Sequence, residues 1–303
     1  MKRALVSGAS GFVGRHFSTR LERTGWDVTG FDIRDRLTPH DAVDWFATDD
    51  QRYDLLVHCA ANVGGRMKID GDPLWVAHNL AVDEATFRWA VRTGTPVLYF
   101  SSSAAYPVHL QTRDAEWTLA EADMFRAEPI GDDRPSAEWF DSEPDATYGL
   151  AKRVGEYLAD VARTMGATVS IVRPFSGYGT DQSLDYPFPS FIDRAKRRAD
   201  PFDVWGDGTQ TRDFIHIDDI VQACLNIVEA QPVRPVNLCT GVPTSFLELA
   251  AACAAAVGYE PTVVTHPDMP TGVHYRVGDP TFMHEFHTPR ITLAEGILRA
   301  VSA

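Results

Sequence analysis

The chain has little of what would mark several common protein classes. Only four cysteines occur in 303 residues, Cys59, Cys224, Cys239 and Cys253, and none forms a CxxC pair. That excludes a zinc ribbon or a thioredoxin-like motif and leaves them as small buried hydrophobes. Lysine is scarce, with four against twenty-four arginines. The net charge is −14 with no basic stripe, so no nucleic-acid partner is expected. No apolar run approaches the roughly 18 residues of a membrane span, so no membrane partner is expected. No charged leader with an apolar core precedes the first strand, which places the expected location in the cytoplasm, with reduced thiols. Internal repeats and low-complexity tracts are absent too. What is present, 44% apolar residues, suffices for one large α/β domain or for a main domain with a smaller lobe.

The most informative stretch comes first. Arg3 to Ser7 reads as a buried strand, Phe12 to Thr24 carries Val13, Phe17 and Leu21 at helical spacing, and Asp27 to Phe31 reads as a second strand. Gly8 and Gly11 stand between strand and helix, and Gly14 falls in the helix's first turn. In that context each glycine has a use: a tight turn, close approach of backbone to a pyrophosphate, and close packing of helix on sheet. The helix N-terminus offers free N–H groups to phosphate. Asp32 ends the second strand, eighteen positions after Gly14, where a carboxylate binds a ribose 2′-hydroxyl and repels a 2′-phosphate. NAD is therefore favoured over NADP, with Arg34 keeping NADP as the alternative.

Further along, a third strand is expected near Ala42 to Phe46. Leu55 to Cys59 is a buried strand followed by the small residues Ala60 and Ala61, over which a cofactor can lie. Leu74 to Arg92 reads as one long helix stopped by Gly94, with Asn79 in its middle. Pro96 to Phe100 is a strand opening into Ser101, Ser102 and Ser103. Ala104 to Ala146, broken by Pro107, Pro129, Pro135 and Pro144, reads as an irregular insertion or lid. Thr147 to Met165 is a helix and Thr168 to Val172 a strand ended by Pro174. This alternation predicts a Rossmann-like, doubly wound parallel sheet over residues 1–174. Residues 175–303 form a smaller mixed α/β substrate lobe, with 214–241 returning to the first domain. In that lobe Trp205 to Gly208 reads as a hairpin-like turn, Phe214 to Ile217 and Val236 to Cys239 as strands, and Ser245 with Glu248 as a capping box.

Tyr148 and Lys152 are four apart on the expected helix and share a face. A cation beside a phenol lowers its pKa from about 10, and an oxidised nicotinamide adds a second positive charge. Tyr148 can then take the proton of a substrate hydroxyl while hydride leaves for the cofactor. Ser102 and Ser103 lie at a strand end where such a substrate would sit.

Together the glycine turn, Asp32, the serine triplet ahead of Tyr106-Pro107, and Tyr148 with Lys152 resemble the extended short-chain dehydrogenase/reductases. Within these they resemble the NAD-dependent nucleotide-sugar epimerase/dehydratase group. The likeness continues through Arg173-Pro174, Tyr178-Gly179, Gly206 to Phe214, Asn237 to Gly241 and Tyr275 to Asp279, nearly the whole chain. Ala61 to Arg66 looks most like the GDP-mannose 3,5-epimerase branch. The resemblance implies a transient 4-keto sugar, with Tyr148 as base, Ser102 assisting, Lys152 on the nicotinamide ribose and NAD retained. It implies an NAD site lined by Gly8, Ser10, Gly11, Phe12, Val13, Gly14, Asp32, Ile33, Cys59, Ala60, Ala61, Asn79 and Pro174. A nucleotide-diphosphate sugar would meet Gly65, Arg66, Ser103, Ser176, Arg212 and Arg276, the last two on the diphosphate. No metal is implied, and a homodimer packed through Leu74–Arg92 and Thr147–Met165 is. Three departures bear on the reaction. Ser176 stands where the family often has Asn. Ser103 and Ala104 stand where sugar 4,6-dehydratases carry an Asp-Glu pair. Ala104 also falls where the 3,5-epimerases use a cysteine. The reading is thus a nucleotide-sugar epimerase; the alternatives are a 4-keto-sugar reductase or nucleotide-sugar dehydrogenase, and a non-catalytic NAD-binding scaffold.

Overall fold

The computed structural model describes residues 1–35, 40–115, 117–125 and 143–303. The first half runs β1 (Arg3–Ser7), α1 (Phe12–Arg23), β2 (Asp27–Phe31), α2 (Ala42–Thr48), β3 (Leu55–His58), α3 (Arg66–Gly71), α4 (Pro73–Ala77), α5 (Asn79–Thr93) and β4 (Val97–Phe100). After three short 3-10 turns come α6 (Ala146–Thr164), β5 (Val169–Pro174), β6 (Ser176–Tyr178), α7 (Pro187–Lys196), β7 (Phe202–Trp205), β8 (Thr211–His216), α8 (Ile217–Ala230) and β9 (Val236–Leu238). The chain ends with β10 (Pro243–Ser245), α9 (Phe246–Ala256), β11 (Val263–His266), β12 (Tyr275–Arg276) and α10 (Leu293–Ser302).

Six parallel strands form the main sheet in the order β2-β1-β3-β4-β5-β9. Strands β3 and β4 are buried at every position, as expected for a sheet covered on both faces. One face packs Phe17 and Leu21 of α1 and Ile220 and Ile227 of α8. The other packs Phe46 of α2, Phe87 and Trp89 of α5 and Ala159 of α6. Each such side chain contributes about 1.5–3 kcal/mol by burial. The strand order reverses between β1 and β3, and in sheets of this kind ligands bind beyond the carboxyl ends of the strands at that point. A mixed sheet of β10, β8, β12 and β6 and a parallel pair β7-β11 complete the smaller lobe. Phe188, Phe191, Phe202 and Phe246 form its own core. Among the described residues no helix is long and apolar enough to cross a membrane.

Three sequence expectations are corrected. Ala42 to Phe46 is helical, not a strand. Asp41 caps it by accepting from the Val43 N–H at 2.8 Å, and Ala42 and Phe46, four apart, bury one face. The expected helix Leu74–Arg92 is two helices meeting at His78. The Asn62 side chain donates to the Trp75 carbonyl at 2.7 Å, taking the acceptor that a continuous helix would offer to the Asn79 N–H. Asn79 therefore opens a helix and does not lie within one. Trp205–Gly208 is a turn with Gly206 and Gly208 at positive φ, but its flanking strands β7 and β8 pair with other partners, so no hairpin forms. The Ser245–Glu248 capping box is present. Within the irregular stretch, Pro129 and Pro135 lie outside the described residues.

Candidate active site

Gly8 has φ +69°, and a side chain there would run into Cys59 and Ala60 at 2.8 Å. A side chain at Gly14 would overlap the Gly8 carbonyl oxygen. Gly11 caps α1 without any side-chain acceptor, so the first N–H groups of the helix stay available to a ligand. Asp32 is buried, accepting from Ser10 N–H at 3.1 Å and Arg34 N–H at 2.8 Å. The exposed Arg34 side chain also pairs with it, Nε to Oδ1 at 3.2 Å. Phe12 and Val13 pack on the core beneath, while Ile33 is 63% exposed at the rim. Cys59, Ala60 and Ala61 follow β3, and burial pushes the Cys59 thiol up to about 12. The Asn79 amide clamps the next residue, accepting from Asn62 N–H at 2.6 Å and donating to its carbonyl at 3.0 Å. Its observed contact is with the loop that shapes the cleft. Replacing Gly14 with Ala is expected to force the turn apart, costing about 1–3 kcal/mol of stability and tenfold or more in NAD affinity. Calorimetry and fluorescence titration with NAD measure both.

The serine triplet divides its work. Ser101 turns inward and donates to Glu156 at 2.5 Å. Ser102 accepts from the Ala104 N–H at 3.1 Å, and its hydroxyl is near enough to Tyr148 to pull that phenol's pKa down. Ser103 is buried within the 3-10 turn that follows. A side chain at Gly149 would overlap the Ala104 carbonyl oxygen, so glycine is what lets α6 approach this turn and bring Tyr148 to Ser102. Lys152, one turn on, is buried with its ammonium 5.0 Å from the centre of the Tyr99 ring.

The expected lowering of the Tyr148 pKa is not found in the protein alone. Burial pushes it up to about 12; the nearby Ser102 hydroxyl pulls it down and the Asp83 charge pushes it further up. The Lys152 ammonium lies over the Tyr99 ring, and its charge is not among the influences that shift Tyr148.

Three arginines meet on the other side of the cleft. Asp145, which precedes α6, accepts from Arg66 Nη1 at 2.5 Å and from Arg276 Nη2 at 2.8 Å. Arg212 is held by the carbonyls of Thr211 and Thr271 at 2.8 and 3.0 Å. Burial, with Arg276 nearby, pushes the Arg212 guanidinium down to about 9. Burial opposes it, but Arg276 and Arg66 still hold the Asp145 carboxyl below its ordinary value. Gly65 lies against Asp185, whose carbonyl a side chain would overlap. Pro174 and Ser176, at the end of β5 and the start of β6, border the same region. Asp145 was missed from sequence; its only signal is its place three residues before Tyr148.

A glycine turn on a reversing parallel sheet, with a serine beyond the end of β4 and a tyrosine and a lysine on α6 beside it, defines a dinucleotide-dependent α/β enzyme. The model of the NAD dependent epimerase/dehydratase family matches residues 4–239. The chain is 28% identical over 300 residues to dTDP-4-dehydro-6-deoxy-D-allose reductase of Streptomyces bikiniensis, covering 93% of this chain and 89% of that one. It is 26% identical over 315 residues to GDP-mannose 3,5-epimerase of Arabidopsis thaliana, covering 96% and 79%. In fold it is similar to UDP-glucose 4-epimerase of Thermotoga maritima, with TM-score 0.81, 22% identity and coverage of 99% and 97%. The chain belongs to the NAD-dependent epimerase/dehydratase family. NAD fits the residues present: the turn admits no side chain at Gly8 or Gly14, and a buried carboxylate stands at the end of β2.

Proposed function

We propose that the protein is a cytoplasmic nucleotide-sugar epimerase that works through a transient 4-keto sugar and retains its NAD. The observation that carries this reading is the close approach of α6 to the turn after β4, which brings Tyr148 beside Ser102 with Ala104 next to them. That position has no carboxylate to eliminate water and no thiol to exchange a carbon-bound proton. NAD, when bound in the glycine turn, supplies the acceptor and donor of hydride. Tyr148 takes the proton of the sugar C4 hydroxyl and returns it. Ser102 holds the same oxygen and fixes the phenol. Arg212 and Arg276 grip the diphosphate, a task that suits planar guanidinium groups. Rotation of the sugar about that anchor presents the other face of the ketone. Residues 1–174 carry the cofactor and 175–303 the nucleotide sugar.

Incubation with UDP-, GDP- and dTDP-hexoses is expected to yield a stereoisomer with no net change in reduced-nicotinamide absorbance. Consumption of NADH with a 4-keto sugar would favour a reductase, the activity named for the Streptomyces relative. Neither outcome with any of these sugars would overturn both. A homodimer is part of the proposal: Leu150, Tyr157 and Val161 lie exposed along one side of α6, a stripe that a second copy would cover. Light scattering on the purified protein tests it.

A further inference from the structure

Beneath Tyr148 lies a set of buried polar groups that the proposed reaction leaves unused. His58, at the end of β3, has Nδ1 2.8 Å from Ser7 Oγ and Nε2 3.2 Å from Oδ1 of Asp83 on α5. The Tyr99 hydroxyl donates to the other Asp83 oxygen at 2.6 Å. His58, Asp83 and Tyr99 are each no more than 1% exposed. The Tyr99 ring in turn carries the Lys152 ammonium at 5.0 Å. A side chain at Gly155 would overlap the Tyr99 hydroxyl. Glycine at that position, three residues beyond Lys152, is what allows α6 to close over the pair.

The charges in this layer can be matched one by one. Glu156, the other buried carboxylate here, is paired with Arg173 at 2.7 Å. Among the described residues no lysine or arginine pairs with Asp83 directly: its two oxygens meet the Tyr99 hydroxyl and the His58 ring. The groups facing Asp83 and Tyr99 from the packed elements are His58 on β3 and Tyr148, Lys152 and Glu156 on α6. Of these, Lys152 is the cation. A phenol that donates to a carboxylate gains electron density on its ring, and a richer ring face attracts a cation more strongly.

We propose that Asp83 is the buried counter-charge of Lys152 and, acting through the Tyr99 phenol, a positioning residue that holds the ammonium at the cleft end of α6. The proposal rests on Lys152 being part of the site, but not on which sugar is turned over. Its test therefore needs no substrate. With four lysines in the chain, protein carrying 13C at lysine Cε gives a countable set of signals, and Lys152→Met assigns one. That signal is expected to be displaced by the Tyr99 ring current. Asp83→Asn, and to a smaller extent Tyr99→Phe, should move it toward the position of exposed lysines. Lys2 over Trp26 and Lys68 over Trp75 should stay where they are. If Asp83→Asn does not fold, Tyr99→Phe decides alone. An unmoved Lys152 signal, or movement of all four, would overturn the proposal. Failure to find any epimerase substrate would leave this result intact, so the two readings fail separately.

Discussion

Tyr148→Phe is expected to lower turnover of whichever nucleotide sugar is epimerised by about 10²–10⁴-fold, the usual worth of a positioned acid–base group. NAD affinity and thermal stability should stay near wild type, because the ring remains and only a hydroxyl beside Ser102 is lost. The pH dependence sharpens the test. Burial pushes this phenol up to about 12, so it is protonated at neutral pH unless positive charge is brought beside it. The oxidised nicotinamide provides such a charge, and addition of NAD⁺ should shift the Tyr148 titration downward. The active form is the phenolate, so turnover should rise with pH to a plateau set by the shifted value. Ser102→Ala removes the hydroxyl that opposes the effect of burial and should move that rising limb to higher pH. A Tyr148→Phe enzyme with turnover within a factor of about three of wild type would remove the phenol from the mechanism.

The parts of this site legible in the sequence are those fixed by local chemistry. Three glycines at the passage from a strand into a helix leave few alternatives, and the spacing of Tyr148 and Lys152 survives any error in the helix boundaries. What the sequence concealed depends on contacts between distant segments. Ala42 to Phe46 has few residues on which to tell a strand from a helix; the Asp41 cap and the stacking of Trp45 on Phe31 decide it. The break at His78 is imposed by Asn62, from another part of the chain. Lys152 was expected to act on Tyr148 because they share a helix face. The aromatic ring it meets instead comes from β4, fifty-odd residues earlier, and only the folded sheet brings it there. Asp145 likewise has no meaning until Arg66 and Arg276 arrive on either side.

The largest stability effect is expected one turn beyond Lys152. Arg173 of β5 and Glu156 of α6 are 1% and 2% exposed and share two hydrogen bonds, Nε to Oε1 at 2.9 Å and Nη2 to Oε2 at 2.7 Å. Both Nη1 donors and a further Glu156 acceptor are also occupied. Arg173 Nη1 donates to the Tyr106 hydroxyl at 3.1 Å and the Glu121 carbonyl at 2.9 Å, while Ser101 donates to Glu156. A buried pair is tolerable when every group is satisfied, and costly when one charge is taken away. Glu156→Gln leaves the guanidinium buried without its counter-charge and should cost about 3–5 kcal/mol. Calorimetry should show this as a fall in Tm of roughly 10 °C. Activity should fall with it, since α6 carries Tyr148 and Lys152, and Ser101 precedes Ser102. The double variant Glu156→Gln with Arg173→Met removes both charges and should recover most of the lost stability, because the penalty belongs to the orphaned charge more than to the missing attraction. A double variant no more stable than the single one would mean that the hydrogen bonds to Tyr106, Glu121 and Ser101, and not the balance of charge, hold this layer together.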